Sequence, residues 1–227
     1  MNKSVGVIIT AGGMGKRMNS SVPKQFIEID QKPIFIHTIQ KFISILPHAE
    51  FVLVMQNAYI NQTKILLEQY ELDNSVVIVE GGEERFHSIR NGLKWVNSDW
   101  VIVHDAVRPF FSDAIVKSAL EKLLSKQAVV PVVNVNETMR KIEDETSETV
   151  DRSKYKIVQT PQCFHTETLK KGYAQDYLSS FTDDASVVEN LGVEVCLIEG
   201  NKENIKITEP EDLEWAEFLA NKMKKLK

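Results

Sequence analysis

Glycines and cations gather where a strand should end. Ala11-Gly12-Gly13-Met14-Gly15-Lys16-Arg17-Met18, followed by Pro23-Lys24-Gln25-Phe26, comes directly after a short β-branched run over 5–10. Glycine lets backbone N–H groups approach phosphate oxygens closely in a concave nest, and cations behind the nest neutralise charge. The spacing is not that of a P-loop, because no Gly-Lys-Ser/Thr closes it. Nor is it the dinucleotide fingerprint, because Met18 stands where the third glycine belongs. A tight strand-to-helix turn with solvated Lys and Arg is the other reading of such a cluster.

Three further groups could complete a site. Gly81-Gly82-Glu83-Glu84-Arg85-Phe86-His87-Ser88 follows another apolar run, and on a helix Arg85, Ser88 and Gly92 share one face that could meet a nucleobase and ribose. His104-Asp105-Ala106-Val107-Arg108-Pro109 ends a third run with a carboxylate and a guanidinium three residues apart. Such a carboxylate can hold substrate hydroxyls or hydrated Mg²⁺ and such an arginine can pair with phosphate, unless the two form a structural ion pair. His104, lacking partners, reads as structural. Late in the chain come Asp151-Arg152, Gln159-Thr160-Pro161-Gln162 and Asn204-Ile205-Lys206-Ile207-Thr208. The second of these is a strand end lining a cleft or a plain turn around Pro161, and Lys206 points away from its apolar neighbours, either to a ligand or to solvent.

The elements that must position these residues are legible in outline. Apolar runs over 5–10, 51–55, 76–79, 100–103 and 128–133 read as buried strands, and segments 34–46, 59–70, 84–95 and 113–124 carry helical periodicity, with Ser112 as an N-cap. The alternation implies an α/β fold with a mostly parallel sheet. Thr182-Asp183-Asp184 reads as the cap of a helix ending at Gly192, 193–198 as a strand, and Thr208-x-x-Glu211 with Pro210 as a capping box opening the last helix. Segment 134–156 breaks the rhythm. Strands over 138–142 and 149–152 flanking a polar turn over 143–148 make a protruding hairpin, which is marginal in water unless it packs on something, such as a second subunit.

Composition excludes several classes. A chain of 227 residues with 43% hydrophobic content can bury a sizeable core, and a net charge of -5 argues against a general nucleic-acid or membrane-surface binder. Cys163 and Cys196 are too few and too far apart for a disulfide framework or zinc knuckle, and read as buried thiols in a reducing compartment. The apolar start is too short for a signal core or membrane span, so the expected location is cytoplasmic. Nothing marks a boundary within 1–227, so one domain is expected.

Taken together and in order, these motifs resemble the 2-C-methyl-D-erythritol 4-phosphate cytidylyltransferases of the non-mevalonate isoprenoid route. The resemblance also rests on Thr182-Asp183-Asp184-Ala185-Ser186. It implies a Rossmann-like sheet flanked by helices and a homodimer formed through a projecting β-arm, here 134–152. Arg17 and Lys24 would be the catalytic charges and the backbone of Ala11, Gly12 and Gly13 would hold CTP. Gly82, Glu83 and Ser88 would read cytosine, and Ala106 would touch the ribose. Asp105, Arg108, Thr160 and Lys206 would hold the polyol phosphate, joined by Thr138 and Arg152 of the partner's arm. Mg²⁺, or another divalent cation, would sit mainly on the CTP phosphates, with Asp105 a possible contact. The chain departs from the family in having Gly12 where alanine is usual, and Glu137-Thr138, preceded by Asn134 and Asn136, where the arm usually begins Asp-Thr. A ribitol 5-phosphate cytidylyltransferase resembles it in the loop, in 104–110 and in 159–162. A nucleotide-binding regulatory module without catalysis is a third reading.

Overall fold

The computed structural model describes residues 3–13 and 23–225. The expected catalytic Arg17 lies outside them. The chain runs β1 (Val5–Thr10), β2 (Glu28–Ile29), β3 (Lys32–Pro33), α1 (Ile34–Ile45), β4 (Glu50–Met55), α2 (Ile60–Gln69), β5 (Val76–Glu80), α3 (Arg85–Leu93), β6 (Trp100–Asp105), α4 (Asp113–Lys122) and β7 (Ala128–Asn134). It continues through β8 (Arg140–Glu143), β9 (Thr146–Thr149), β10 (Lys156–Val158), β11 (Gln162–His165), α5 (Thr166–Tyr173), α6 (Asp184–Glu189), β12 (Val195–Glu199) and α7 (Pro210–Lys224).

The unbroken apolar runs of the inner strands reflect burial on both sheet faces. On β1, Val7 and Ile9 enter a core completed by Phe35 and Phe42 of α1, Leu67 of α2 and Ile115 of α4, while Ile8 points the other way, towards Phe86 and Ile89 of α3 and Leu169 of α5. β6, β1, β4 and β5 are mutually parallel, and β12 is parallel to β7. From β1 the chain steps outward to β4 and β5, then crosses over to place β6 on the other side of β1. That reversal makes a crevice at the carboxyl ends of β1 and β6, where open α/β sheets bind ligands.

Several elements differ from expectation. β11 is an antiparallel strand between β6 and β7, and β10 runs along the same edge of β7. The two are one interrupted strand, broken at the cis Thr160-Pro161 peptide. The Gln159-Thr160-Pro161 stretch is that interruption, which is why alternation did not reveal it. The arm's second strand is Thr146–Thr149, not 149–152, because the turn is short, with Asp144 at φ 49, and Arg152–Lys154 forms a single helical turn capped by Asp151. The last helix is capped by Glu209, not Thr208, and its box partner is Asp212, not Glu211. Asp212 also accepts from the Thr208 N–H and hydroxyl, which draws Thr208 outside the helix. Asp183 caps α6 in a box with Ser186, and the helix stops at Glu189, short of Gly192 with its φ of 77. Cys163 is buried, but Cys196, on a strand paired along one edge only, is half-buried.

Candidate active site

At the carboxyl ends of β1 and β6 one cleft gathers Ala11, Gly12, Gly13, Lys24, Gly82, Glu83, Ser88, Asp105 and Lys206. Nine expected site residues from five sequence stretches thus share one surface. Sheet register explains part of this, because Thr10 pairs with Asp105 and the two strands deliver their loops side by side. Gln25, Gln56 and Arg85 also line the cleft. Gln25 sits inside the basic loop motif and Arg85 inside the Gly-Gly motif, whereas Gln56 carries no sequence signal beyond following a strand.

Asp105 is the electrostatic centre. Its Oδ2 lies 3.0 Å from Lys206 Nζ and 3.2 Å from Arg108 Nε. Burial alone would raise its pKa, but Lys206, Arg85 and Arg108 outweigh that and hold the carboxyl well below the ordinary range. The Asp105–Arg108 ion pair therefore exists and is part of the cleft's chemistry. Arg108 also donates to the Asn204 carbonyl at 2.8 Å, and Asn204 donates to the Thr160 carbonyl at 2.8 Å. Gln159 adds a bond to the Asn201 carbonyl at 2.9 Å. These bonds dock the Asn-Ile-Lys segment on the Gln-Thr-Pro segment and bring Lys206 over Asp105.

Thr160 and His104 fix the strand end beneath. The Asp105 N–H donates to Thr160 Oγ1 at 3.2 Å, Thr160 Oγ1 lies 3.0 Å from His104 Nδ1, and His104 Nε2 lies 3.0 Å from the Arg108 carbonyl. A carbonyl only accepts, so Nε2 carries the proton and Nδ1 accepts from the Thr160 hydroxyl. Burial pushes His104 down to about 3, keeping it neutral. As pH falls below the ordinary imidazole value the unfolded chain takes up a proton that the folded chain refuses. The stability contribution is thus complete above about pH 6.5 and is lost towards pH 3, at about 1.4 kcal/mol per pH unit. Asp105, depressed below the carboxylate range, is silent between pH 7 and 5. The urea midpoint should accordingly fall between pH 7 and pH 5, and fall less in His104→Gln.

The Gly81-Gly82 loop is shaped by α3. Gly82 N–H donates to Ser88 Oγ at 3.0 Å, and a Cβ at Gly82 would stand 2.4 Å from that of His87, so only glycine fits. Arg85 meets Asp184 of α6 at 2.6 Å, and the Tyr173 hydroxyl donates to the same carboxylate at 2.6 Å. Gly92 does not join this face in the cleft. A Cβ there would sit 3.0 Å from Val54 and 3.1 Å from Ile8, so its role is close packing of α3 on the sheet.

Ala106, Thr138 and Arg152 do not line this cleft within one chain. Ala106 is fully buried, with its N–H on the Thr10 carbonyl and its carbonyl accepting from Thr38. Thr138 and Arg152 are exposed on the arm, where Arg152 donates to the Asn136 carbonyl. The hairpin β8–β9 is a two-stranded sheet of its own, with every residue exposed. Exposed Ile142, Tyr155, Ile157 and Val158 follow the same stretch.

A family model described as IspD, 2-C-methyl-D-erythritol 4-phosphate cytidylyltransferase, matches residues 5–222. A protein of that name from Phocaeicola vulgatus is 47% identical over 214 residues, which is 94% of this chain and 98% of that one. The crystal structure of the Thermus thermophilus protein of the same name superposes with a TM-score of 0.79 at 31% identity, covering 96% of this chain and 99% of that one. The bifunctional IspDF of Campylobacter jejuni superposes with a TM-score of 0.81 at 27% identity over 93% of this chain, which spans 54% of that longer one. With the family model spanning residues 5–222 and a relative of 47% identity over nearly the whole chain, the chain belongs to the 2-C-methyl-D-erythritol 4-phosphate cytidylyltransferase family.

Proposed function

We propose that this protein transfers CMP from CTP to 2-C-methyl-D-erythritol 4-phosphate, giving 4-diphosphocytidyl-2-C-methyl-D-erythritol and pyrophosphate, as a step in isoprenoid precursor synthesis. The observation that carries this is the single cleft in which the glycine nest and Lys24 face the Asp105–Lys206 pair. The nest side suits a triphosphate, with cytosine against Gly82, Glu83 and Ser88 and the ribose near the end of β6. The Asp105 side suits a polyol phosphate, the carboxylate accepting from hydroxyls and Lys206 and Arg108 turning towards the phosphate.

An acceptor phosphate oxygen is already ionised at neutral pH. It attacks the α-phosphorus of CTP directly, the new P–O bond forms as the bond to the β-phosphate oxygen breaks, and no proton has to move. Catalysis then rests on alignment and on fixed positive charge against a polyanion. Lys24 supplies that charge from the loop, and Arg17 is assigned the same role.

Among the described residues no group of three or more His, Cys, Asp or Glu could hold a metal ion, and Asp105 is already matched by two cations. The described side chains therefore do not fit a resident metal cage. Mg²⁺ or a similar divalent cation belongs to this reading only as the partner of the CTP phosphates.

The arm's exposure and its apolar strip support a homodimer in which Thr138 and Arg152 complete the partner's acceptor half. No described helix is long and apolar enough to cross a membrane. Both cysteines are free, as thiols stay in the reducing cytoplasm, the setting this reading assigns. Pyrophosphate release from CTP, compared between 2-C-methyl-D-erythritol 4-phosphate and ribitol 5-phosphate, tests the acceptor. A strong preference for the first is expected, and preference for the second, or release with neither, overturns it.

The shared site has its own test. Lys24→Ala and Arg152→Ala proteins, each impaired alone, should regain activity when unfolded and refolded together. Random pairing leaves about a quarter of all sites with both side chains intact. Additive residual activity in the mixture would place each site within one subunit.

A further inference from the structure

Two glutamine side chains from separate parts of the chain hold the first two carbonyls of the glycine-rich loop. Gln25 Nε2 donates to the Ala11 carbonyl at 2.8 Å, and Gln56 Nε2 donates to the Gly12 carbonyl at 2.5 Å. Gln25 is 1% exposed and lies in the single helical turn Lys24–Phe26, while Gln56 directly follows β4. Ala11 is anchored from its other side, its N–H donating to the Val54 carbonyl at 2.8 Å.

In a trans peptide the carbonyl of one residue and the N–H of the next lie in one plane and point in opposite directions. Drawing the Ala11 carbonyl to Gln25 therefore turns the Gly12 N–H away from that glutamine. Drawing the Gly12 carbonyl to Gln56 does the same for the Gly13 N–H. Both glycines line the cleft, and neither N–H has a hydrogen-bond partner among the described residues. Glycine alone would leave these peptides free to rotate, so a loop of glycines is a poor anion site until something fixes its carbonyls.

We infer that Gln25 and Gln56 are positioning residues that aim the backbone N–H groups of Gly12 and Gly13 at the phosphates of CTP. This rests on the triphosphate reading of the cleft. It also gives the Pro-Lys-Gln-Phe motif a joint purpose. Lys24 Cε runs 3.7 Å from where a Gly13 Cβ would stand, so one turn sets both the cation and the orientation of the nest beside it.

Gln25→Met and Gln56→Met keep side-chain length and remove the donor, and equilibrium binding of CTP and of cytidine separates phosphate from base recognition. Each variant should bind CTP about tenfold more weakly, the value of a hydrogen bond to a charged group. Cytidine affinity should stay within about twofold of the unaltered protein. Thermal melts run alongside confirm that each variant is folded, and half-buried Gln56 provides the reading if buried Gln25 tolerates no change. Equal losses for the two ligands, or undiminished CTP affinity in both variants, would overturn the inference. Failure of the unaltered protein to bind CTP would instead overturn the triphosphate reading itself.

Discussion

Lys24→Ala is expected to lower kcat by about two orders of magnitude or more, the usual cost of removing one preorganised group that meets charge developing in the transition state. CTP affinity should change far less. The reason lies in how charge is distributed across the cleft. Lys206 and Arg108 both bear on Asp105, so much of their positive field is already spent. The loop brings a further cation to the nucleotide side of the cleft, where the Lys24 stem runs beside Gly13. A cation needed mainly in the transition state appears in kcat, whereas one that holds substrate and transition state equally appears in KM. Steady-state kinetics with separate CTP binding decide between them. A raised KM at unchanged kcat would make Lys24 a binding group only. Arg17→Ala is expected to behave as Lys24→Ala does, by the same argument.

Much of this site was legible because its parts are local in sequence. The strand, the glycines and the cations of the first loop are contiguous, and so are Gly82 and Ser88, which hydrogen-bond across one turn. The parallel inner strands were equally plain, since burial on both faces leaves an unbroken apolar run. What escaped was non-local. Gln56 is an ordinary glutamine until the sheet sets β4 beside β1. Asn204 looks commonplace, yet it is fully buried between Arg108 and Thr160. β11 was hidden because its strand is interrupted by polar residues whose hydrogen bonds go to a distant loop. Ala106 is the opposite case. Its place in the motif implied a ribose contact, whereas the structure shows a fully buried residue whose N–H and carbonyl also hold β6 to β1 and α1.

Asp184 stands apart from all of these, because its neighbour performs the task that the Thr-Asp-Asp motif suggests. Asp183 caps α6, which leaves Asp184 to turn inward, fully buried, against Arg85 and Tyr173. Removing one member of a buried ion pair leaves the other charge uncompensated, which costs several kcal/mol. The Arg85 side chain is 33% exposed at the cleft, so water recovers part of that loss. Asp184→Asn is therefore expected at the low end, about 3 kcal/mol. In a chain of this size that lowers Tm by roughly 6–12 °C. Tyr173→Phe keeps the ion pair and removes one hydrogen bond, so about 1 kcal/mol is expected. The order of the two variants is the test, read by thermal or urea unfolding. Because Arg85 faces the cleft beside Glu84 and Ser88, Asp184→Asn should also weaken CTP binding, while Tyr173→Phe should leave it near the unaltered value. If Tyr173→Phe were the more damaging, the Tyr173 hydroxyl of α5 would be what holds Asp184 and α6 in place, and the ion pair would carry neither the stability nor the placement of Arg85.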